Sequence, residues 1–347
     1  AFNLSVQGRF PVRGLLPANW KAGLGAVTRQ LEGSALFEIE FEAVGENPSD
    51  TGLRLGIASS LEGVGSSLPE PLKKAPEDIW PLEIEMPFGD LLKPVRFGIE
   101  NRLSGEWLML SNYWQLGLGF GDVSVDLPMA ENFIVEGALP SLDFDQWFSL
   151  IGELNTTGLQ LRPGEGSTGL SGWLDLEIGD LRVQQGSLGN VGITLNREGN
   201  YWRLNTAGNR VAGSIRFPAS GFADRSIVAD MSRLAWPQHK RDRQPSAKPP
   251  SILDPARVPA LDILVRDLRW GELDLGEFRL SSHQEERGLQ IEQVSSRRDG
   301  LELTGSGSWL QYDRGPFSRM RIRLATSELG ETLTQAGFDL ALQRGRA

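Results

Sequence analysis

The sequence predicts an all-β protein of antiparallel strands with few short helices. Apolar and polar residues alternate with period two in many short runs. Turn residues separate those runs at close intervals. Glycine (41) and proline (20) are abundant enough among 347 residues to supply a turn between most of them.

The clearest strand is Phe37-Glu38-Ile39-Glu40-Phe41-Glu42, strictly apolar and charged by turns. Such a strand buries one face and wets the other. The pattern recurs at Leu82/Ile84/Met86, Val95/Phe97/Ile99, Val123/Val125/Leu127, Leu174/Leu176/Ile178, Val191/Ile193/Leu195, Leu301/Leu303 and Ile322/Leu324. Turns are expected at Gly63–Ser67, Gly164–Ser167, Arg197–Asn200 and Arg298–Gly300. Two helices are expected. Leu142–Leu154 carries Trp147, Leu150, Ile151 and Leu154 at helical spacing. Ser327–Phe338 opens on a serine suited to an N-cap and carries Leu329, Leu333 and Ala336.

An internal repeat points to modules. Leu174–Gly189 and Leu261–Gly276 share Leu-Asp, Asp-Leu-Arg and Leu-Gly at matching places. In both, alternation slips by one at the aspartate, so a β-bulge or tight bend is expected at Asp180 and Asp267. An aspartate there is expected to bond its own backbone. The Pro- and charge-rich stretch 237–259 reads as a linker, and a weaker boundary lies near Asn155–Gly169. The expected organisation is a β module over 1–154 ending in a helix, a second over 155–236, the linker 237–259, and a third over 260–347 ending in a helix.

Composition excludes several functions. The net charge is −10, and no cationic face suits a nucleic acid. The absence of cysteine excludes disulfides, zinc–thiolate sites and cysteine nucleophiles. No run approaches the length of a membrane helix. The chain begins at Ala1 without a methionine and reads as a segment of a longer protein.

Chemistry-bearing sets are sparse, and no catalytic, metal or cofactor site is expected. His239 and His283 both sit in polar settings. The glycines Gly117, Gly119 and Gly121 lie in a strand-like run with no helix after it, so close packing explains them better than phosphate binding. The carboxylate pairs Asp143/Asp145 and Asp175/Glu177 read as the solvent face of strands rather than an acid/base pair. Ten tryptophans are core plugs by default, or else line a sugar or lipid surface.

Three segments carry a family resemblance. The first is Ser60-Leu61-Glu62-Gly63 with Leu68-Pro69-Glu70-Pro71-Leu72-Lys73-Lys74 and Trp80-Pro81-Leu82. The second is Gly137–Trp147 (GALPSLDFDQW). The third joins Asp254-Pro255, Val258–Asp262, Leu275-Gly276, Arg287-Gly288-Leu289 and Gly305–Trp309. Together they resemble the YhdP-type branch of the AsmA-like family. The resemblance implies an elongated, curled antiparallel sheet with an apolar groove along it. It implies a periplasmic segment of a parent anchored in the inner membrane, carrying phospholipid acyl chains towards the outer membrane. Without the resemblance, alternation alone favours a closed sandwich core. A carbohydrate-binding or processing β-domain is the alternative, and it would show a local cleft with clustered carboxylates and exposed aromatics. On the groove reading the lining is Phe37, Ile39, Phe41, Leu53, Leu55, Ile57, Leu174, Leu176, Ile178, Val191, Ile193, Leu261, Ile263, Val265, Leu301 and Leu303, each in a period-two run.

Overall fold

Strands form almost everywhere the alternation runs. The computed structural model describes residues 3–15, 25–44, 52–88, 93–110, 113–156, 170–184, 186–219, 226–237, 255–313 and 315–335. The turn expected at Gly164–Ser167, most of the 237–259 linker, His239 and the end of the second expected helix lie outside these residues. Two units divide the chain, Ala1–Val183 and Gln184–Ala347.

The first unit contains β1 (Asn3–Pro11), β2 (Leu31–Val44), β3 (Gly52–Ser59), β4 (Val64–Ser66), β5 (Leu82–Phe88), β6 (Val95–Ile99), β7 (Leu103–Leu110), β8 (Tyr113–Phe120), β9 (Phe133–Leu139), β10 (Leu142–Asp143) and β11 (Gly172–Val183). Short helices cover Val12–Leu15 and Gly25–Arg29, and a longer one Phe144–Thr156. Pairing runs β1–β2–β3–β5–β6–β7–β8–β9–β11. β4 folds onto the start of β2, and β10 continues the edge of β11 beyond β9.

The second unit contains β12 (Gly186–Glu198), β13 (Tyr201–Gly208), β14 (Val211–Pro218), β15 (Ser226–Trp236), β16 (Ala260–Trp270), β17 (Leu273–Glu285), β18 (Gly288–Arg298), β19 (Leu301–Tyr312) and β20 (Gly315–Thr326). They pair in chain order. A 3-10 turn at Pro255–Arg257 precedes β16, and a helix at Leu329–Gln335 follows β20.

The antiparallel expectation holds for most neighbours but not all. β8–β9, β9–β11, β10–β11 and β15–β16 are parallel. Alternation reports only that one face is buried, and a parallel strand obeys it equally. Parallel neighbours need a long crossover. The helix Phe144–Thr156 lies in one such connection, and the Pro-rich stretch joins β15 to β16.

The Val123/Val125/Leu127 run forms no strand. It crosses the polar face of β7 and β8 instead. A Cβ at Gly117 would lie 2.6 Å from the Asp126 carbonyl, and one at Gly119 2.0 Å from that of Val123. Those glycines are therefore required by close backbone approach. Ser104 Oγ donates to Val123 O at 2.9 Å, and buried Gln115 donates to the carbonyls of Pro128 and Glu131.

Asp143 ends β10 and caps the helix that follows rather than standing on the solvent face of a longer strand. Its carboxylate accepts from the Gln146 backbone N–H at 3.0 Å, an N-cap, and from Gln146 Nε2 at 2.7 Å. At the last helix Thr326, not Ser327, accepts the Glu328 N–H. The Gly63–Ser67 turn is shorter than expected, because Val64–Ser66 pairs as β4.

Candidate functional site

Residues paired across a sheet share a face. In the first unit one row crosses the sheet through Val6, Ile39, Ile57, Ile84, Phe97, Gly105, Leu118, Val135 and Leu174. A neighbouring row passes Phe37, Ser59, Leu82, Ile99, Leu103, Phe120, Gly137 and Leu176. No charged residue interrupts either. In the second unit a row runs Leu195, Leu204, Ile215, Ala229, Ile263, Leu280, Val294, Gly305 and Ile322. Beside it run Ile193, Met231, Val265, Phe278, Leu303 and Leu324, with Thr206, Gly213 and Ser296 between them.

The expected lining residues therefore fall on one face in each unit, but they are unequal. Phe37, Leu55, Leu176, Ile178, Val191, Val265 and Leu301 are buried against protein. Ile39, Ile57, Leu174, Ile193, Leu261, Ile263 and Leu303 are half-buried, and Phe41 and Leu53 are exposed. Ile178 is 0% and Val265 2% exposed, whereas Leu53 is 52% exposed. Leu4 and Val6 of β1 and Phe278 and Leu280 of β17 lie on the same faces but are not among the expected lining residues. Alternation marks both pairs, but each run is short or broken by serine.

One end of the first unit's face is closed. Leu61, Val64 and Trp80 pack on Ala35 and Phe37, with Ile57, Leu82 and Ile99 against them. Buried Lys74 ties this cover together. Its Nζ donates to the carbonyls of Leu61 (2.9 Å), Val64 (2.8 Å) and Ala75 (3.0 Å). Burial pushes its pKa below the usual lysine value, opposed by Asp78, Glu77 and Glu62. The Trp80 ring lies under the Arg102 guanidinium at 4.2 Å. The helix Phe144–Thr156 docks here too: Trp147 Nε1 donates to Glu70 O at 2.8 Å, and Leu150 packs with Ala26 and Leu68. The first two resembling segments, distant in sequence, thus meet.

The third segment also converges. Gly288 lies in β18 beside Trp309 of β19, and a Cβ there would sit 2.2 Å from Trp309 O and 3.0 Å from Pro255. Leu275-Gly276 lies inside β17. Gly276 has φ +62° and pairs with Leu268 where the register shifts. The β16–β17 register also skips between Val265 and Leu268, so a bulge contains Asp267. At Asp180 the register with the parallel partners is unshifted: Ile178 pairs Leu139 and Leu181 pairs Leu142. Burial nonetheless slips by one in both copies, from Ile178 to Leu181 and from Val265 to Leu268.

The repeat is structural in two further details. Gly189 and Gly276 both have positive φ, and each N–H donates to the side chain two residues back, Ser187 or Asp274, at 3.0 Å. The Asp-Leu-Arg motif is a same-strand ion pair: Arg182 Nε lies 2.7 Å from Asp180 Oδ2, and Arg269 Nε 3.5 Å from Asp267 Oδ1. Asp267 also accepts from Arg233.

The opposite faces are charged. Glu38, Glu40, Glu83 and Glu85 line a cleft of about 1070 Å³ with Arg54 and Arg96. Arg54 pairs with Glu85 at 2.8 Å and Arg96 with Glu106 at 2.7 Å. Phe97, which by register belongs to the apolar face, also borders the cleft. In the second unit Arg266 pairs with Asp230 at 2.5 Å, and that hydrogen bond holds Asp230 below the usual carboxylate range. His283 lies exposed at 2.9 Å from Glu292. Among the described residues no group of three His, Asp or Glu side chains is placed to hold a metal, and no helix is long and apolar enough to cross a membrane.

Neither the curated proteins nor the solved structures compared with the chain gave a match. A protein-family model described as "YhdP protein" matches residues 1–347. The match covers all three resembling segments, and the chain belongs to the YhdP family.

Proposed function

We propose that this chain is a periplasmic segment of an inner-membrane-anchored protein that carries phospholipid towards the outer membrane and so supports the outer-membrane barrier. The apolar faces hold the acyl chains, and the headgroups stay at the wet margin. The observation that carries this reading is the uncharged row crossing nine paired strands in each unit, half-open along much of its length. Membership in the YhdP family supports it. Each methylene removed from water contributes roughly 0.8 kcal/mol, so a face of this kind needs no fixed polar contact. Carriage by area alone accounts for the scarcity of chemical motifs.

The experiment places a photo-crosslinking amino acid in the living cell at Ile39, Ile193 or Ile263, and at wet-face Glu40, Thr194 or Asp262. Lipid adducts are expected at the first set and not the second. Ile39→Asp and Ile193→Asp should abolish lipid capture at neighbouring positions while the fold persists. Ile178 and Val265 are unsuitable, because a charge at a fully buried site unfolds the protein. Adducts to protein alone at every apolar position would overturn the reading.

A further inference from the structure

Arg102 is held firmly at a place where its charge meets no carboxylate. It closes the short turn between β6 and β7, in which Asn101 takes φ +55°. Its own backbone anchors that turn twice. The Arg102 N–H donates to Ile99 O at 3.0 Å, and its carbonyl accepts from the Gly121 N–H at 2.9 Å. The side chain then lies over Trp80, with the guanidinium carbon 4.2 Å from the ring centroid.

Two cations meet this ring, and they differ. Lys74 Nζ, 5.9 Å from the ring, is buried and donates to three carbonyls. Arg102 is exposed, and among the described residues its guanidinium makes no hydrogen bond or ion pair. The acidic residues beside the turn, Glu100 and Asp122, line the cleft on the wet face. Arg102 lies instead against the ring that packs on Ala35 and Phe37, at the rim of the apolar face. Next to it Leu103 and Phe120 are paired and half-buried, and they continue the row that passes Leu82 and Ile99 at the cap.

We propose that Arg102 binds the phosphate of a phospholipid headgroup at this rim, with the acyl chains lying over Leu103 and Phe120. The inference rests on the lipid-carriage reading and adds the headgroup contact to it. Stacking on a buried indole fixes the guanidinium plane, so little side-chain freedom is lost when the anion arrives. Two parallel N–H donors then match two phosphate oxygens. A free phosphate offers the same oxygens but covers none of the apolar row.

The experiment follows the arginine Nε–Hε resonances of the whole chain by NMR, with that of Arg102 assigned by its loss in Arg102→Lys. The probes are dihexanoyl phosphatidylglycerol, dihexanoylglycerol and inorganic phosphate, each below any micelle concentration. The phospholipid should shift the Arg102 resonance, and the uncharged diacylglycerol should not. Arg102→Gln should weaken phospholipid binding by about tenfold and leave diacylglycerol binding unchanged, with circular dichroism confirming the fold. Arg102→Lys, which keeps the charge without the fork, should fall between. Equal phospholipid affinity in Arg102→Gln and the unaltered chain overturns the proposal while leaving lipid carriage standing. Inorganic phosphate binding at Arg102 as tightly as the phospholipid also overturns it, because the site is then one for a free anion. If neither dihexanoyl compound binds, the carriage reading falls and the headgroup contact with it.

Discussion

Lys74 looks in the sequence like one of two solvated lysines closing a proline-rich motif. In the fold its three ammonium hydrogens meet three backbone carbonyls. Lys74→Met should destabilise the chain by about 3 kcal/mol, read from denaturant unfolding, because those buried carbonyls lose a charged donor. Lys73→Met, at an exposed neighbour, should change little. Glycines divide similarly. Gly288→Ala drives a Cβ into Trp309 O and should cost roughly 2–4 kcal/mol, whereas at Gly189 the Cβ meets open space and only the positive φ matters, about 1 kcal/mol. A comparison of the two thermal midpoints checks this. The sequence marks both glycines alike, since space around a Cβ is set by strands far away in the chain.

At the scale of elements, alternation located most of the strands, and the helix at Phe144–Thr156 follows from its apolar spacing. The Val123–Leu127 run failed because its partner is a glycine-lined face rather than a strand edge, and no local pattern shows that. The repeated Asp-Leu-Arg was legible as a recurring irregularity, but its chemistry was not. The aspartates meet arginines two residues on instead of only their own backbone. Those pairs are exposed, so Asp180→Asn should shift stability by less than about 1 kcal/mol. Asp230 gives a pH signature. Its pKa is depressed by Arg266, so its stabilising share is complete above the ordinary carboxylate range and is lost as pH falls through the depressed value. Asp230→Asn should flatten the acid side of the curve of melting temperature against pH. The bulge glycine is the sharper element-scale test. Gly276→Val brings a β-branched side chain to φ +62° against Arg297 O, and amide exchange across β16–β18 should rise.

For the whole molecule, the fold class could be read from composition and period, and the family from three structural motifs. Whether the apolar faces close on themselves was not legible. Period two says that one face avoids water and is silent on what shields it. Cross-strand register decides which residues join into rows, and it depends on pairings between distant segments. The cap over Phe37 and the parallel joins at β9 and β15 belong to that same class of information. If lipid occupies the half-open faces, phospholipid added in micelles should raise the melting temperature of the whole chain in proportion to the logarithm of its concentration. The exposed-edge variant Ile322→Asp should leave most of that rise intact.

The uncharged rows have one more consequence. Most members of each row are Ile, Leu, Val or Phe, so an acyl chain lying there would be held about as tightly at one strand as at the next, roughly 4.8 Å away. If lipid occupies the rows, its movement along them is a one-dimensional random walk over a nearly level floor. Direction and rate would then be set where molecules are loaded and removed, and a substitution that deepens one step would act as a trap rather than an improvement.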